Sequence, residues 1–125
     1  MIKKLLVIGT MVAIVGTPAF AQIKRTPLQS VDFPAGYTTT TGIFEIPAGA
    51  CAGRHTHPGL EMSYLLEGEG VLKVAGQPDQ KVHAGESFLT QAGTVHDFCA
   101  APGQAVKGLG IYVLEKGKPI ATPAP

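Results

Sequence analysis

Residues 49–68 read GACAGRHTHPGLEMSYLLEG, and residues 85–96 read GESFLTQAGTVH. His55 and His57 stand two apart, so on an extended backbone both imidazoles leave the same face. Pro58 biases His57 toward the extended conformation this requires. The Pro58-Gly59 bend then returns Glu61 toward the same side, and His96 joins them if its strand runs alongside. Three imidazoles and one carboxylate form a mixed nitrogen and oxygen set suited to a divalent first-row metal. The thiolates of structural zinc sites are missing from it. A single histidine on a strand is more often a surface group or a satisfied core group. The fixed spacing of these histidines from Gly49, Gly68, Gly85 and Gly93, which read as turns between strands, changes that balance.

Outward from these blocks the chain reads as short strands. Residues 38–46 carry four threonines and then GIFEI, β-branched and extended in character, until Pro47-Ala48-Gly49 stops them. Further strands are predicted over 61–66, 71–75, 81–83, 87–90, 94–99 and 106–115, separated by Gly- and Pro-bearing turns. Such punctuation every eight to twelve residues or so argues an all-β sandwich or barrel. No window shows a capped helical period, and no solenoid repeat occurs. If Glu61 faces inward, Ser63 and Leu65 share its side while Met62 and Tyr64 face away. His96 and Phe98 likewise share a face, which makes Phe98 and Ser63 candidates for the wall of a substrate pocket. Phe88, Tyr112 and Tyr64 are read as core or pocket lining on aromatic character. His83 is read as a surface strand residue. Arg54 would suit an anionic substrate, but it alternates away from His55, and the solvated reading is preferred.

The two ends read differently. Met1-Ile2-Lys3-Lys4, an apolar run to Gly16 and the Ala19-Phe20-Ala21 triplet have the three parts of a secretory signal, with cleavage expected after Ala21. The run is shorter than the roughly 20 apolar residues a bilayer-spanning helix needs, and an uncleaved anchor is the alternative. An exported protein, periplasmic or secreted and without a membrane segment once cleaved, is expected. Cleavage leaves 104 of the 125 residues, with eight basic side chains against nine acidic ones. That balance lacks the basic footprint of nucleic-acid binding. Residues 22–35, with Thr26-Pro27 and Phe33-Pro34, are read as an irregular arm, 36–116 as the barrel, and 117–125 as a loose tail.

The two blocks resemble the two signature motifs of the cupin superfamily. The first matches at Gly49, His55, His57, Glu61 and Gly68, the second at Gly85, Gly93 and His96. Gln91 stands where that family usually has Pro, and Ala100 where it often has Asn; neither is a ligand position. The resemblance spans roughly residues 36–115. It implies a double-stranded β-helix, or jelly-roll barrel, holding Fe, Mn, Ni, Cu or Zn on His55, His57, Glu61 and His96. Glu61 would also serve as the catalytic base toward a small-molecule ligand. It implies homodimers as well, with the arm as the pairing segment. Metal-dependent oxidation, of the dioxygenase type, on a small polar or phenolic substrate is the leading expectation. A non-catalytic binding module and a sugar-acid isomerase or lyase are its rivals. Cys51 lies four residues before His55 and Cys99 three after His96, so strands meeting at one metal would bring the two thiols close. A disulfide and a pair of buried free thiols both remain open.

Overall fold

The computed structural model describes residues 23–125, and the signal-sequence reading lies outside them. Two five-stranded antiparallel sheets face each other as a jelly roll. The strands are β1 (Lys24–Val31), β2 (Tyr37–Ile46), β3 (His55–Thr56), β4 (Gly59–Glu67), β5 (Glu69–Val74), β6 (Gln80–His83), β7 (Ser87–Thr90), β8 (His96–Ala100), β9 (Val106–Glu115) and β10 (Thr122–Pro123). One sheet runs β1-β2-β9-β4-β7 and the other β10-β3-β8-β5-β6. Among the described residues there is no helix, and so none long and apolar enough to cross a membrane.

Strict alternation sorts the side chains. In β4, Gly59, Glu61, Ser63 and Leu65 are buried, while Met62 and Tyr64 are exposed between them. Tyr64 is therefore an outward residue and not part of the core, because parity overrides its aromatic character. In β9, Val106, Gly108, Gly110, Tyr112 and Leu114 face in. Gly108 pairs with Phe44 across the ladder, and a Cβ there would lie 2.2 Å from the Phe44 ring. The missing side chain is what lets that ring lie flat inside the barrel. At Gly68 the backbone takes a left-handed φ of 81°, and a Cβ would fall 2.2 Å from the Ala105 carbonyl oxygen.

The interior divides into two layers. Phe44, Ile46, Leu65, Leu72, Phe88 and Phe98 belong to an apolar cluster. Cross-strand pairing sets the polar residues beside it: Glu61 opposite Tyr112 and Thr90, and His55 opposite His96.

Both ends differ from the sequence expectation. Residues 24–31 form a strand that pairs with β2 of the same chain, not a free arm. Pro27 lacks an N–H, but β1 is the outermost strand and shifts register between Pro27 and Gln29, where a proline is tolerated. The C-terminal residues are not loose. Thr122 and Pro123 pair with Thr56 and His55, and the Ala124 N–H donates to the Arg54 carbonyl at 2.9 Å. Without this strand the outer edge of β3 would carry unmet backbone groups.

Candidate metal centre

His55 and His57 come from and just after β3, His96 opens β8, and Glu61 sits in β4. All four are at most 5% exposed. Each imidazole turns Nδ1 to a backbone carbonyl: His55 to Gly53 at 2.7 Å, His57 to Ile120 at 2.5 Å and His96 to Thr94 at 2.9 Å. A carbonyl oxygen only accepts, so Nδ1 carries the hydrogen in each neutral ring. The three Nε2 atoms then carry lone pairs in place of hydrogens.

Those lone pairs converge. His55 Nε2 lies 3.2 Å from His57 Nε2, while Glu61 Oε2 lies 3.0 Å from His57 Nε2 and 3.2 Å from His96 Nε2. The ligand atoms of the three histidines all fall within 4.8 Å of one another. His96 Nε2 is buried and in a geometry that makes no hydrogen bond. Four acceptor atoms clustered in a buried site are mutually repulsive unless positive charge sits among them. A divalent metal ion meets that demand, and the Nδ1–carbonyl bonds are the outer contacts that orient histidine ligands. The residues present fit the group that the sequence motifs imply.

Without a metal, charge in the cluster is balanced by the interaction of the imidazoles with Glu61. Burial drives the His55 pKa down to about 4, so this ring is neutral near pH 7. Burial disfavours the charged form of Glu61, yet His57, His96 and the Ser63 hydroxyl outweigh it and hold the carboxyl well below the usual range. Burial likewise opposes charge on His96, but Glu61 and the Thr94 carbonyl raise its pKa on balance. The cluster favours positive charge at its centre.

Glu61 is fixed from behind. The Ser63 hydroxyl donates to Oε1 at 2.8 Å and the Thr90 hydroxyl to Oε2 at 3.0 Å. Tyr112, 5% exposed, stands beside Glu61, with its ring centroid 5.3 Å from that of His57. Burial first, and the Glu61 charge second, raise the pKa of its hydroxyl, which stays protonated.

Phe98 and Glu61 line one small inner cavity of about 30 Å³ together with His55 and His96. Ser63 faces the same side and reaches Glu61. Arg54 is exposed, and His83 sits on the surface between Glu69 and Glu86. Cys51 and Cys99 are joined as a disulfide. They and Asp97 form a second group of metal-ligating residue types, but the thiols are consumed, and Asp97 Oδ1 accepts the Gly53 N–H at 2.9 Å.

Thr90, Arg25 and Ile120 escape the sequence reading. Thr90 has a signal, since it closes a strand on the buried parity of Phe88. Ile120 has none, because it acts through its carbonyl. Removing residues 118–125 is expected to weaken metal binding about 10- to 100-fold, as loss of an outer-shell partner does. Calorimetric titration checks this, and an unchanged affinity would deny the segment any part in the site.

A sequence model of the cupin domain matches residues 42–117. No curated protein is similar enough in sequence to count as a match. Several solved structures share the fold. The polyketide cyclase RemF from Streptomyces resistomycificus is 23% identical, with a TM-score of 0.69 over 99% of this chain and 86% of that one. The DMSP lyase DddQ from Ruegeria pomeroyi is 16% identical, with a TM-score of 0.73 over 90% of this chain and 57% of the lyase. An oxalate oxidase in complex with glycolate is 18% identical, with a TM-score of 0.66 over 86% of this chain and 56% of the oxidase. This chain thus spans little more than half the length of the last two. At these identities the likeness is one of fold.

Proposed function

The chain belongs to the cupin family, and from that premise we propose that it is a metal-dependent enzyme acting on a small polar molecule. His55, His57, His96 and Glu61 hold the metal in this reading. The observation that carries it is the buried clustering of three histidine Nε2 atoms and Glu61 Oε2, with His57 and His96 Nε2 beside Oε2 and His55 Nε2 beside that of His57. A divalent ion bound there supplies Lewis-acid polarisation of a substrate oxygen.

The chain's own residues supply proton transfer. Glu61, held ionised and oriented by Ser63 and Thr90, accepts a proton at Oε1, the oxygen that is not among the clustered donor atoms. Tyr112, opposite Glu61 in the β4–β9 ladder, donates one from its hydroxyl. An acid beside a base in one pocket favours elimination or isomerisation, and this places a lyase or isomerase ahead of the oxidative reading. Dioxygenase-type oxidation of a small polar or phenolic substrate is the second reading. It is supported by a donor set, three nitrogens and one oxygen, that suits an oxidisable first-row metal. The Cys51–Cys99 bridge supports an exported, oxidising location.

Tyr112→Phe is expected to lower kcat by about 10²- to 10⁴-fold, the usual worth of a positioned acid, with bound metal unchanged. Turnover should persist in anaerobic buffer. Strict dependence on dioxygen would transfer the assignment to oxidation. Ligand-dependent thermal stabilisation with no product from any substrate screened would leave a binding module.

A further inference from the structure

Strand β1, formed where the sequence pattern predicts an irregular arm, sends one side chain into the barrel. Arg25 faces Phe44 across the β1–β2 ladder, and Phe44 points into the core. Its neighbour Lys24 turns outward and pairs with Glu45 at 2.7 Å. Arg25 lines the inner cavity shared by His55, Glu61 and His96. Together with Phe44 and Tyr112 it also lines a second cavity, of about 240 Å³, whose wall includes Ile120. It therefore stands between the ligand cluster and the larger space.

The guanidinium Nε is buried and has no hydrogen-bond partner among the described residues. Glu61, the buried carboxylate of this pocket, does not serve it. Its Oε1 accepts from Ser63 and its Oε2 from Thr90, and Oε2 is the oxygen that faces His57 and His96. Arg25 is half-buried, and its buried Nε–H without an acceptor carries a cost that an incoming anion relieves. Among the described residues no lysine and no second arginine lines either cavity, so the site offers one fixed positive charge besides the metal. The planar fork of a guanidinium matches the two oxygens of a carboxylate. The remaining wall of the larger cavity is mostly apolar or threonine, as a small organic acid would require.

We propose that Arg25 is the anion-binding residue of this pocket, and that the substrate is a small carboxylate whose charged end meets the guanidinium while its reacting part faces His55, His96 and Glu61. This rests on the metal-dependent reading above and narrows its substrate class.

The test compares glycolate with its uncharged amide, glycolamide, by calorimetry on the mature protein, with metal content measured on the same samples. Glycolate should bind about 10- to 100-fold tighter than glycolamide, the worth of a charge-assisted hydrogen bond. Arg25→Gln should remove that preference and leave metal content unchanged. Arg25→Lys, which keeps the charge without the fork, should retain part of it and serves if the glutamine variant does not fold. Equal affinities for the two probes, no glycolate binding at millimolar concentration, or wild-type glycolate affinity in both Arg25 variants would overturn the assignment. Inorganic phosphate binding as tightly as glycolate would overturn the carboxylate class. A glycolate preference lost with Arg25 in protein that binds no metal would uphold the anion site and remove the metal-dependent reading alone.

Discussion

His96→Ala should lower divalent-metal affinity by more than the 10- to 100-fold or so that loss of an outer-shell partner costs, because it removes a donor atom itself. His57→Ala should do the same. Each substitution deletes one of the converging Nε2 atoms and strips Glu61 Oε2 of a neighbour at 3.2 or 3.0 Å. The barrel should survive both changes. The histidines sit in the polar layer, and the apolar cluster of Phe44, Leu65, Phe88 and Phe98 does not depend on them. Each substitution leaves a cavity and a less supported Glu61 carboxylate, so the metal-free variants should be folded but less stable than the metal-free parent. Calorimetric metal titration paired with urea unfolding separates the two effects. Native-like metal affinity in either variant would contradict the ligand set.

Phe98→Ala should cost about 3–5 kcal/mol of folding stability, the usual penalty for truncating a fully buried phenylalanine. Its ring stacks on Phe88 at a centroid distance of 5.1 Å and meets Phe44 edge-on at 6.5 Å. It also fills the space left open at Gly70, where a Cβ would lie 2.4 Å from it. No single neighbour can close such a gap, so a cavity should remain. Against a typical total of about 5–15 kcal/mol, this removes much of the margin. Leu89→Ala, one residue along from Phe88 but on the outward parity and half exposed, should cost about 0.5 kcal/mol or less. Urea unfolding of the two variants checks the pair. A Phe98→Ala loss as small as that of Leu89→Ala would contradict the layered interior.

Local rules make much of this legible in the amino-acid order. Parity alone places Glu61, Ser63 and Leu65 inside and Met62 outside, because a strand has no other choice. The strand predicted over 106–115 is bounded by turn residues and coincides with Val106–Glu115. Three things lie beyond such rules. Arg25 is hidden because Pro27, two residues on, reads as a strand breaker, and only its place on a sheet edge makes it harmless. Ile120 contributes a carbonyl, which every residue has, so no side-chain pattern announces it. Tyr112 carries its inward parity openly. Its partnership with Glu61, however, depends on β4 and β9 being neighbours, although β5 to β8 intervene between them in the chain. Long-range strand order of that kind is a property of the packed barrel.

Three imidazoles should present Nε2, and not Nδ1, to one cation. Nitrogen-15 NMR of histidine-labelled protein during titration with Zn(II) tests it most directly. Saturation is expected at one equivalent, with the Nε2 resonances of His55, His57 and His96 shifted, their Nδ1 atoms still bearing hydrogen, and His83 unmoved. Saturation without those Nε2 shifts, or no binding at all, would contradict it.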